Sequence, residues 1–343
     1  MSQQGPLNSF SAVLIFLAFF IAIILATSLK KIYYYFKYKK RYYIIPRPSV
    51  QGISNISMVI ALSVAVLLIL TFVTANLFSV LFRAFPGTRV TIEGILIKIG
   101  GLLFGPFIGM FVGAITDLLS IIMTAGIFHY GYFISAMAYG LLAGLIRTLF
   151  SYSDQKKSWY ALTATIISII SCALSISFIF YFFQGKEGAL QTIFPFISDL
   201  ISKSTLAAII GGFLAFSTAL IWFLYLFSKI FGNKNIVPNR YRRRTFGTKQ
   251  KYKKDYFNNF CLIIICAMTT EILINVLLMP FFDADLSTLG YDNWLFIRIL
   301  AFIPMVVFNF IIIYPVYVVI SPIVSWNYQS ELIEDYNTPF LIK

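Results

Sequence analysis

Long apolar stretches separated by short polar or basic segments run along almost the whole chain. Six of these stretches carry few or no charged residues and reach the length of about 20 residues that a helix needs to cross a hydrocarbon core. They occupy residues 10–28, 56–82, 160–183, 204–228, 258–282 and 294–325. The segment between residues 89 and 150 adds three shorter helices, at 90–104, 106–124 and 132–149. The pattern predicts nine membrane-spanning helices and an all-α polytopic membrane protein.

Composition supports this class. Hydrophobic residues make up 59% of the chain, charged residues 12%, and the mean hydropathy is +0.84, which excludes a soluble protein. Residues 10–28 are interpreted as a retained helix, because the flank before them lacks the basic residues of a signal peptide and the basic cluster follows the apolar run.

The distribution of basic residues predicts an orientation in the cell membrane. The net charge is +14, and the basic residues cluster at 30–47 and in the loop 231–255. Basic loops remain cytoplasmic, so nine crossings place the N-terminus outside and the C-terminus in the cytoplasm. The basic loop could instead bind nucleic acid, but a topogenic loop beside anionic lipid head groups is the simpler interpretation, and no nucleic-acid partner is expected.

Small residues recur at helical spacing in the central segment. Gly105, Gly109 and Gly113 are followed at the same interval by Asp117, so one helix face has no side chains for three turns and then a carboxylate. The next helix repeats the spacing with Ala136, Gly140 and Gly144. Small faces of this kind allow close approach of helix backbones. We expect these two helices to be partners and Asp117 to lie in a packed interior.

Charged residues within the spans are the candidates for function, because each costs about 2.5–3.5 kcal/mol on insertion. They are Glu93, Lys98, Asp117, Glu271 and Arg298, and in the predicted orientation none lies in the inner half of the membrane. Together with Asn275, His129 and Tyr132 they indicate a bowl open to the outside that binds a small polar molecule carrying a ring.

Structural interpretations of the same residues remain open. Glu93 and Arg298 could extend to the membrane interface, and Tyr130 and Tyr132 could be interfacial aromatics. Lys98 and Asp117 could form a structural ion pair, and Glu271 could pair with a basic neighbour without touching a ligand.

Catalytic and metal chemistry find little support. Cys172, Cys261 and Cys266 lie in apolar spans without metal-ligand spacing, and His129 is the single histidine. There is no Gly-rich nucleotide loop, so ATP hydrolysis would come from another subunit. We expect no catalytic residues, no metal and no cofactor.

Two stretches resemble a known transporter family. GGLLFGPFIGMFVGAITDLL (100–119) and GYFISAMAYGLLAGL (131–145) are similar to the second to fourth helices of energy-coupling-factor (ECF) transporter S-components, most of all the folate-type branch. Ala61 and Ala65 resemble the motif by which S-components dock on their coupling subunit. TTEILINVLLMP (269–280) and 294–325, with Pro304 and Pro315, resemble the fifth and sixth helices.

The resemblance implies a six-helix core plus about three extra helices. Helices 1–4 of the core would lie in 56–150 and helices 5–6 in 258–325. An extra helix with a basic cytoplasmic linker would occupy 1–55, an inserted helix pair with a basic cytoplasmic loop 151–257, and a cytoplasmic tail 326–343.

It also implies a function: capture of a vitamin, folate or a related compound, from outside, and docking on a transmembrane coupling subunit driven by two partner ATPase subunits. The candidate substrate-binding residues are Lys98, Asp117, His129, Tyr132, Glu271, Asn275 and Arg298. Two alternatives are a self-sufficient secondary transporter, which would show ion flux by the chain alone, and a membrane enzyme acting on lipid, which would turn over a lipid substrate.

Overall fold

The structure is a computed structural model, and it describes most of the apolar chain. The described residues are 40–42, 50–73, 86–124, 128–151, 157–183, 202–230, 256–287 and 289–335, with isolated positions between 21 and 36. The predicted helix at 10–28 lies outside the described residues except for a few such positions, and the basic loop 231–255 and the end of the tail lie outside them too.

The described chain is almost entirely helical. The helices are α1 (Val50–Val73), α2 (Pro86–Phe104), α3 (Pro106–Thr124), α4 (Tyr130–Ser151), α5 (Lys157–Phe182), α6 (Lys203–Ile230), α7 (Tyr256–Thr270), α8 (Met279–Leu286) and α9 (Tyr291–Leu332). Between α7 and α8 the chain continues as a π-helix, Glu271–Leu278, so that the three segments form one rod. Two short antiparallel strands that the sequence pattern did not predict, β1 (Lys40–Tyr42) and β2 (Ile333–Asp335), pair near the two ends of the described chain.

The prediction of an all-α polytopic membrane protein is confirmed. Within the described residues, seven helical segments are long and apolar enough to cross a membrane. Helix α2 is not among these seven, and it carries three charged residues, Arg89, Glu93 and Lys98. These three side chains are buried. A helix this polar is tolerated because its neighbours, rather than lipid, surround the charged groups.

A single residue separates α2 from α3. Gly105 has a φ of +95°, a conformation that side-chain-bearing residues rarely adopt, and Pro106 then opens α3. Arg147 on α4 donates a hydrogen bond to the carbonyl oxygen of Leu103, one of the carbonyl groups that the end of α2 leaves without a helical partner. The turn therefore folds α3 back beside α2, with α4 in contact with both.

The small residues of α3 and α4 face each other in the structure. A methyl group added at Gly109 or Gly140 would overlap the backbone of the other, and one added at Gly113 would overlap the carbonyl group of Ala136. Gly144 packs in the same way against the backbone at Gly105 and Pro106. The two helices approach to backbone contact, and this close approach requires residues without side chains.

Six helical segments surround the polar interior, and two lie beside them. Helices α1 to α4 pack together with the rod formed by α7, the π-helix and α8, and with α9. Helices α5 and α6 pack mainly on each other and along this rod. Their outer faces expose large apolar side chains such as Ile169, Phe216 and Phe223, as expected of surfaces in contact with lipid.

We predict that Gly140→Ala destabilises the protein and that Gly212→Ala, on the exposed side of α6, does not. The added methyl group at Gly140 meets rigid backbone and must separate α3 from α4, at a cost of about 1–3 kcal/mol or more. At Gly212 no atom lies within 4 Å of the added carbon, and alanine is the better helix former by about 1 kcal/mol. Thermal unfolding in detergent measures both variants, and equal stability of the two would contradict the close seam between α3 and α4.

Candidate functional site

Buried charged side chains gather at one end of the bundle. This end, called here the His129 end, holds the first residues of α2, α4 and α9 and the last residues of α3 and α8. The charged groups form two sets: an Arg89 cluster between α2 and α3, and a longer Lys98–Arg298 network that joins α2 to the rod, α9 and α4.

The Arg89 cluster consists of one base and two acids. The Nη2 atom of Arg89 donates a 2.8 Å hydrogen bond to Oδ1 of Asp117, and its Nε atom lies 3.1 Å from Oε1 of Glu93. Asp117 and Glu93 are both completely buried, and Arg89 is nearly so. The cluster thus has one positively charged guanidinium for two carboxyl groups, so the guanidinium can balance the charge of only one of them.

The Lys98–Arg298 network begins deeper in the bundle. The Nζ atom of Lys98 donates hydrogen bonds to Oε1 of Glu271 and, at 2.9 Å, to Oδ1 of Asn309, and it lies 4.5 Å from the ring centroid of Tyr139. Asn309 in turn donates a 3.0 Å hydrogen bond to Glu271. The ammonium group is fully buried and held by an acid, an amide and an aromatic face.

From Glu271 the network continues toward the His129 end. Asn275 donates a 2.8 Å hydrogen bond to Oε2 of Glu271 and accepts one from Arg298. Arg298 also donates through Nε to Oδ2 of Asp283 at 2.6 Å, and the hydroxyl group of Tyr132 donates to Oδ1 of Asp283 at 2.6 Å. The result is a continuous chain of hydrogen bonds in which two acids match two bases.

The π-helix supplies two members of this network. Glu271 and Asn275 stand four residues apart in it and are hydrogen-bonded to each other, and both side chains are buried in the bundle. π-Helical turns are rare and occur often at functional sites. The widened turns are an independent indication that this part of the rod has a role beyond packing.

His129 lies at the edge of the polar interior. Its ring is half-buried, with centroids 4.6 Å from Tyr130, 5.2 Å from Tyr132 and 5.9 Å from Phe282. Its Nδ1 atom accepts a 3.2 Å hydrogen bond from the backbone N–H of Gly131. Burial lowers the pKa of His129, while the nearby carboxylates of Asp285 and Asp283 act in the opposite direction. A neutral imidazole at this edge offers an aromatic face next to Tyr132.

The structure brings most of the predicted residues together. Five lie in the Lys98–Arg298 network, namely Lys98, Tyr132, Glu271, Asn275 and Arg298. Asp117 lies in the other cluster and His129 at the rim. Two structural interpretations are wrong: Glu93 and Arg298 are buried and do not extend to the interface, and Lys98 pairs with Glu271 rather than with Asp117.

Three members of the two sets were missed from the sequence. Arg89 lies one residue before the predicted start of its helix at residue 90, although its spacing of four residues from Glu93 matches an ion pair on one helix face. Asp283 lies one residue beyond the predicted end of its helix, and Asn309 is an uncharged residue in a long apolar run. The sequence offered a signal for the first of these only.

The two residues predicted for docking lie elsewhere. Ala61 and Ala65 are exposed on the outer face of α1, away from both ionic sets. Cys261 and Cys266 are buried free thiols and Cys172 is half-buried. Among the described residues, no group of three or more histidine, cysteine, aspartate or glutamate side chains is placed to hold a metal ion.

Part of the chain is similar to a known protein family. Residues 56–193 match the family model described as "ECF transporter, substrate-specific component". Residues 56–193 are therefore similar to the S-component family. The matched residues 56–193, called here the S-component segment, contain most of α1 and all of α2 to α5. They therefore include the Arg89 cluster, Lys98 and Tyr132. The family is a component of membrane transporters that act on small molecules together with coupling and ATPase subunits.

A relative extends over nearly the whole chain. The uncharacterized protein MG098 homolog of Mycoplasma pneumoniae (strain ATCC 29342 / M129 / Subtype 1) is 27% identical over 358 aligned residues, which cover 96% of this chain and 74% of that protein. No solved structure matches the chain.

The S-component segment and the rod are joined by the Lys98–Glu271 pair, and we predict that this pair behaves as a unit. Lys98→Met or Glu271→Met alone leaves one buried charge without its partner and costs about 3–5 kcal/mol. The double variant Lys98→Met/Glu271→Met removes both charges and regains most of that loss. A double-mutant cycle from thermal unfolding tests this, and additive losses would contradict it.

Proposed function

We propose that this chain is the substrate-capturing subunit of an ECF-type importer, which binds a small vitamin from outside and delivers it through a coupling subunit driven by two ATPase subunits. The observation that carries the proposal is the concentration of buried charged groups at one end of the bundle, most of them on helices that belong to the S-component segment.

The number of these groups exceeds what packing alone requires. Seven lysine, arginine, aspartate and glutamate side chains are buried among the described residues: Arg89, Glu93, Lys98, Asp117, Glu271, Asp283 and Arg298. Apolar residues of similar size would stabilise a membrane bundle as well as buried ion pairs or better. A set that is expensive to bury and that extends from one end of the bundle only to its middle favours recognition of a polar solute.

The proposed binding residues are those named from the sequence: Lys98, Asp117, His129, Tyr132, Glu271, Asn275 and Arg298. Lys98, Tyr132, Glu271, Asn275 and Arg298 belong to one hydrogen-bonded network, which holds their side chains in defined positions. His129 at the rim and the buried Tyr132 next to it are suited to contact a ring, because their ring centroids lie 5.2 Å apart.

The proposed orientation places the His129 end outside. It follows from the basic clusters at 30–47 and 231–255, which the positive-inside rule assigns to the cytoplasm. The N-terminus is then outside and the C-terminus cytoplasmic. The end of the bundle nearest to the proposed binding residues then faces the medium from which a vitamin is taken.

The proposed core has six helices, with the rod and α9 as the fifth and sixth. The family match includes α5 and ends at residue 193, so the assignment of 258–325 rests on the resemblance and on packing. Glu271 and Asp283 on the rod complete polar contacts begun by Lys98 on α2 and Tyr132 on α4. Helices α5 and α6 contribute none of the seven charged groups. We therefore propose that α5 and α6 are the inserted helix pair predicted from the sequence.

The docking surface is proposed on α1. Ala61 and Ala65 are exposed, and Ser57, one turn earlier, is exposed in the same row. A row of small side chains on an outward face permits close approach of a second membrane helix. The folate-type resemblance makes folate or a related compound the first candidate for the vitamin.

We predict that Asp117→Asn weakens capture of the substrate while leaving assembly with the coupling subunit intact. The change removes a buried charge from the proposed site and touches no residue of the α1 face, so loss of one charged hydrogen bond lowers affinity by about tenfold or more. Titration calorimetry of the purified chain against a vitamin panel measures capture, and co-purification with the coupling subunit measures assembly. Unchanged affinity would remove Asp117 from the site.

We predict that Ala61→Leu combined with Ala65→Leu impairs assembly with the coupling subunit and leaves capture of the substrate intact. Two larger side chains block close helix contact, so transport by the assembled complex is lost while ligand binding by the purified chain persists. The matched control is Ala215→Leu with Ala219→Leu, which alters an exposed pair of alanines at the same spacing on α6. Transport that survives the α1 variant, or is lost equally in the control, would overturn the docking assignment.

A further inference from the structure

The buried charges of the polar interior do not balance. Across the described residues, four acids and three bases are buried at this end. The Lys98–Arg298 network is neutral, because Lys98 pairs with Glu271 and Arg298 with Asp283. The excess acid therefore belongs to the Arg89 cluster.

The same cluster contains carboxylate oxygens without partners. Oε1 of Glu93 has the misaligned Nε atom of Arg89 beside it at 3.1 Å, and no well-aligned hydrogen bond reaches either oxygen of Glu93 or Oδ2 of Asp117. Both side chains are completely buried. Buried polar atoms in folded proteins are nearly always hydrogen-bonded, so three orphaned carboxylate oxygens at one place require an explanation.

Arg89 cannot supply the missing donors from its present position. It donates to Asp117, while its Nε atom, 3.1 Å from Glu93, is not aligned for a hydrogen bond and itself lacks a partner. A guanidinium shared between two carboxylates leaves an acceptor site that an additional N–H donor with a positive charge would fill.

We propose that Glu93 and Asp117 receive a positively charged nitrogen group of the transported molecule, which makes the substrate a small organic cation rather than an anionic vitamin. This inference rests on the proposed function, and it replaces folate with a cationic small molecule as the first candidate substrate. A protonated amine, an amidinium or a cationic ring nitrogen would satisfy the free oxygens and the excess charge together.

The pairing of the three buried bases also favours a cationic ligand. Each of the three buried bases is already paired with an acid, so an anionic ligand would have to break an ion pair to obtain a partner. A cation meets unoccupied acceptors instead. Folate, which carries carboxylates, fits this arrangement poorly.

Calorimetry on the purified full-length chain in detergent tests the inference with two sets of probes. The cationic set is thiamine and pyridoxamine, and the anionic set is folate and pantothenate. We expect binding of a cationic probe and weaker or no binding of the anionic ones. Glu93→Gln keeps the shape of the side chain but removes its charge, and should weaken binding of the cation by about tenfold or more.

Two further variants distinguish a direct contact between Glu93 and the ligand from a general effect of negative charge at this end of the bundle. Asp292→Asn, at the start of α9, removes one negative charge near the same end without touching the cluster, and should leave binding unchanged. Glu93→Asp restores the charge and should recover part of the affinity. Thermal unfolding of each variant shows that the protein compared is folded.

The outcomes are distinct. Preference for an anionic probe, or binding of a cation that Glu93→Gln leaves unchanged, overturns the inference and leaves the proposed function standing. The latter result would also be expected if a proton, rather than a ligand, neutralised the excess charge. Failure of a folded chain to bind any of the four probes counts against the inference and the proposed function together.

Discussion

The structure depends on the need to pair every charge that is removed from water. In a membrane bundle a buried ammonium or carboxylate finds no solvent to stabilise it, so its partner must come from the protein itself. Lys98 and Glu271 meet this need across two segments separated by 173 residues in sequence, and Arg298 and Asp283 do so between α9 and α8. These contacts fix the rod and α9 against α2.

The glycine and alanine seam makes this arrangement possible. Because α3 and α4 approach to backbone contact at Gly109, Gly113 and Gly140, the Asp117 carboxylate at the end of the same face is carried into the interior. Gly105 allows α2 to reverse directly into α3, which sets Arg89 opposite Asp117. Local backbone chemistry thus positions the charged cluster, and the cluster then determines what kind of solute could be bound.

Much of the fold was predictable, because hydrophobic runs and small-residue spacing are properties of the sequence itself. The spans, the break at Gly105 and the burial of Asp117 follow from these patterns. The partners of the charges do not, since pairing depends on how helices distant in sequence come together. Asp283 and Asn309 illustrate the point: a helix end shifted by a few residues admits the first, and an amide in an apolar run gives no periodic signal for the second. The π-helix has no recognised sequence pattern either, although it presents Glu271 and Asn275 to the same network.

The central claim is that these charges hold a solute for a partner-driven importer and do not conduct it. Uptake into proteoliposomes tests this most directly, with the chain reconstituted alone and then together with its coupling and ATPase subunits. The account predicts that the chain alone binds a radiolabelled vitamin without accumulating it, and that accumulation requires the complete complex and ATP. Accumulation by the chain alone, driven by an ion or proton gradient, would contradict it.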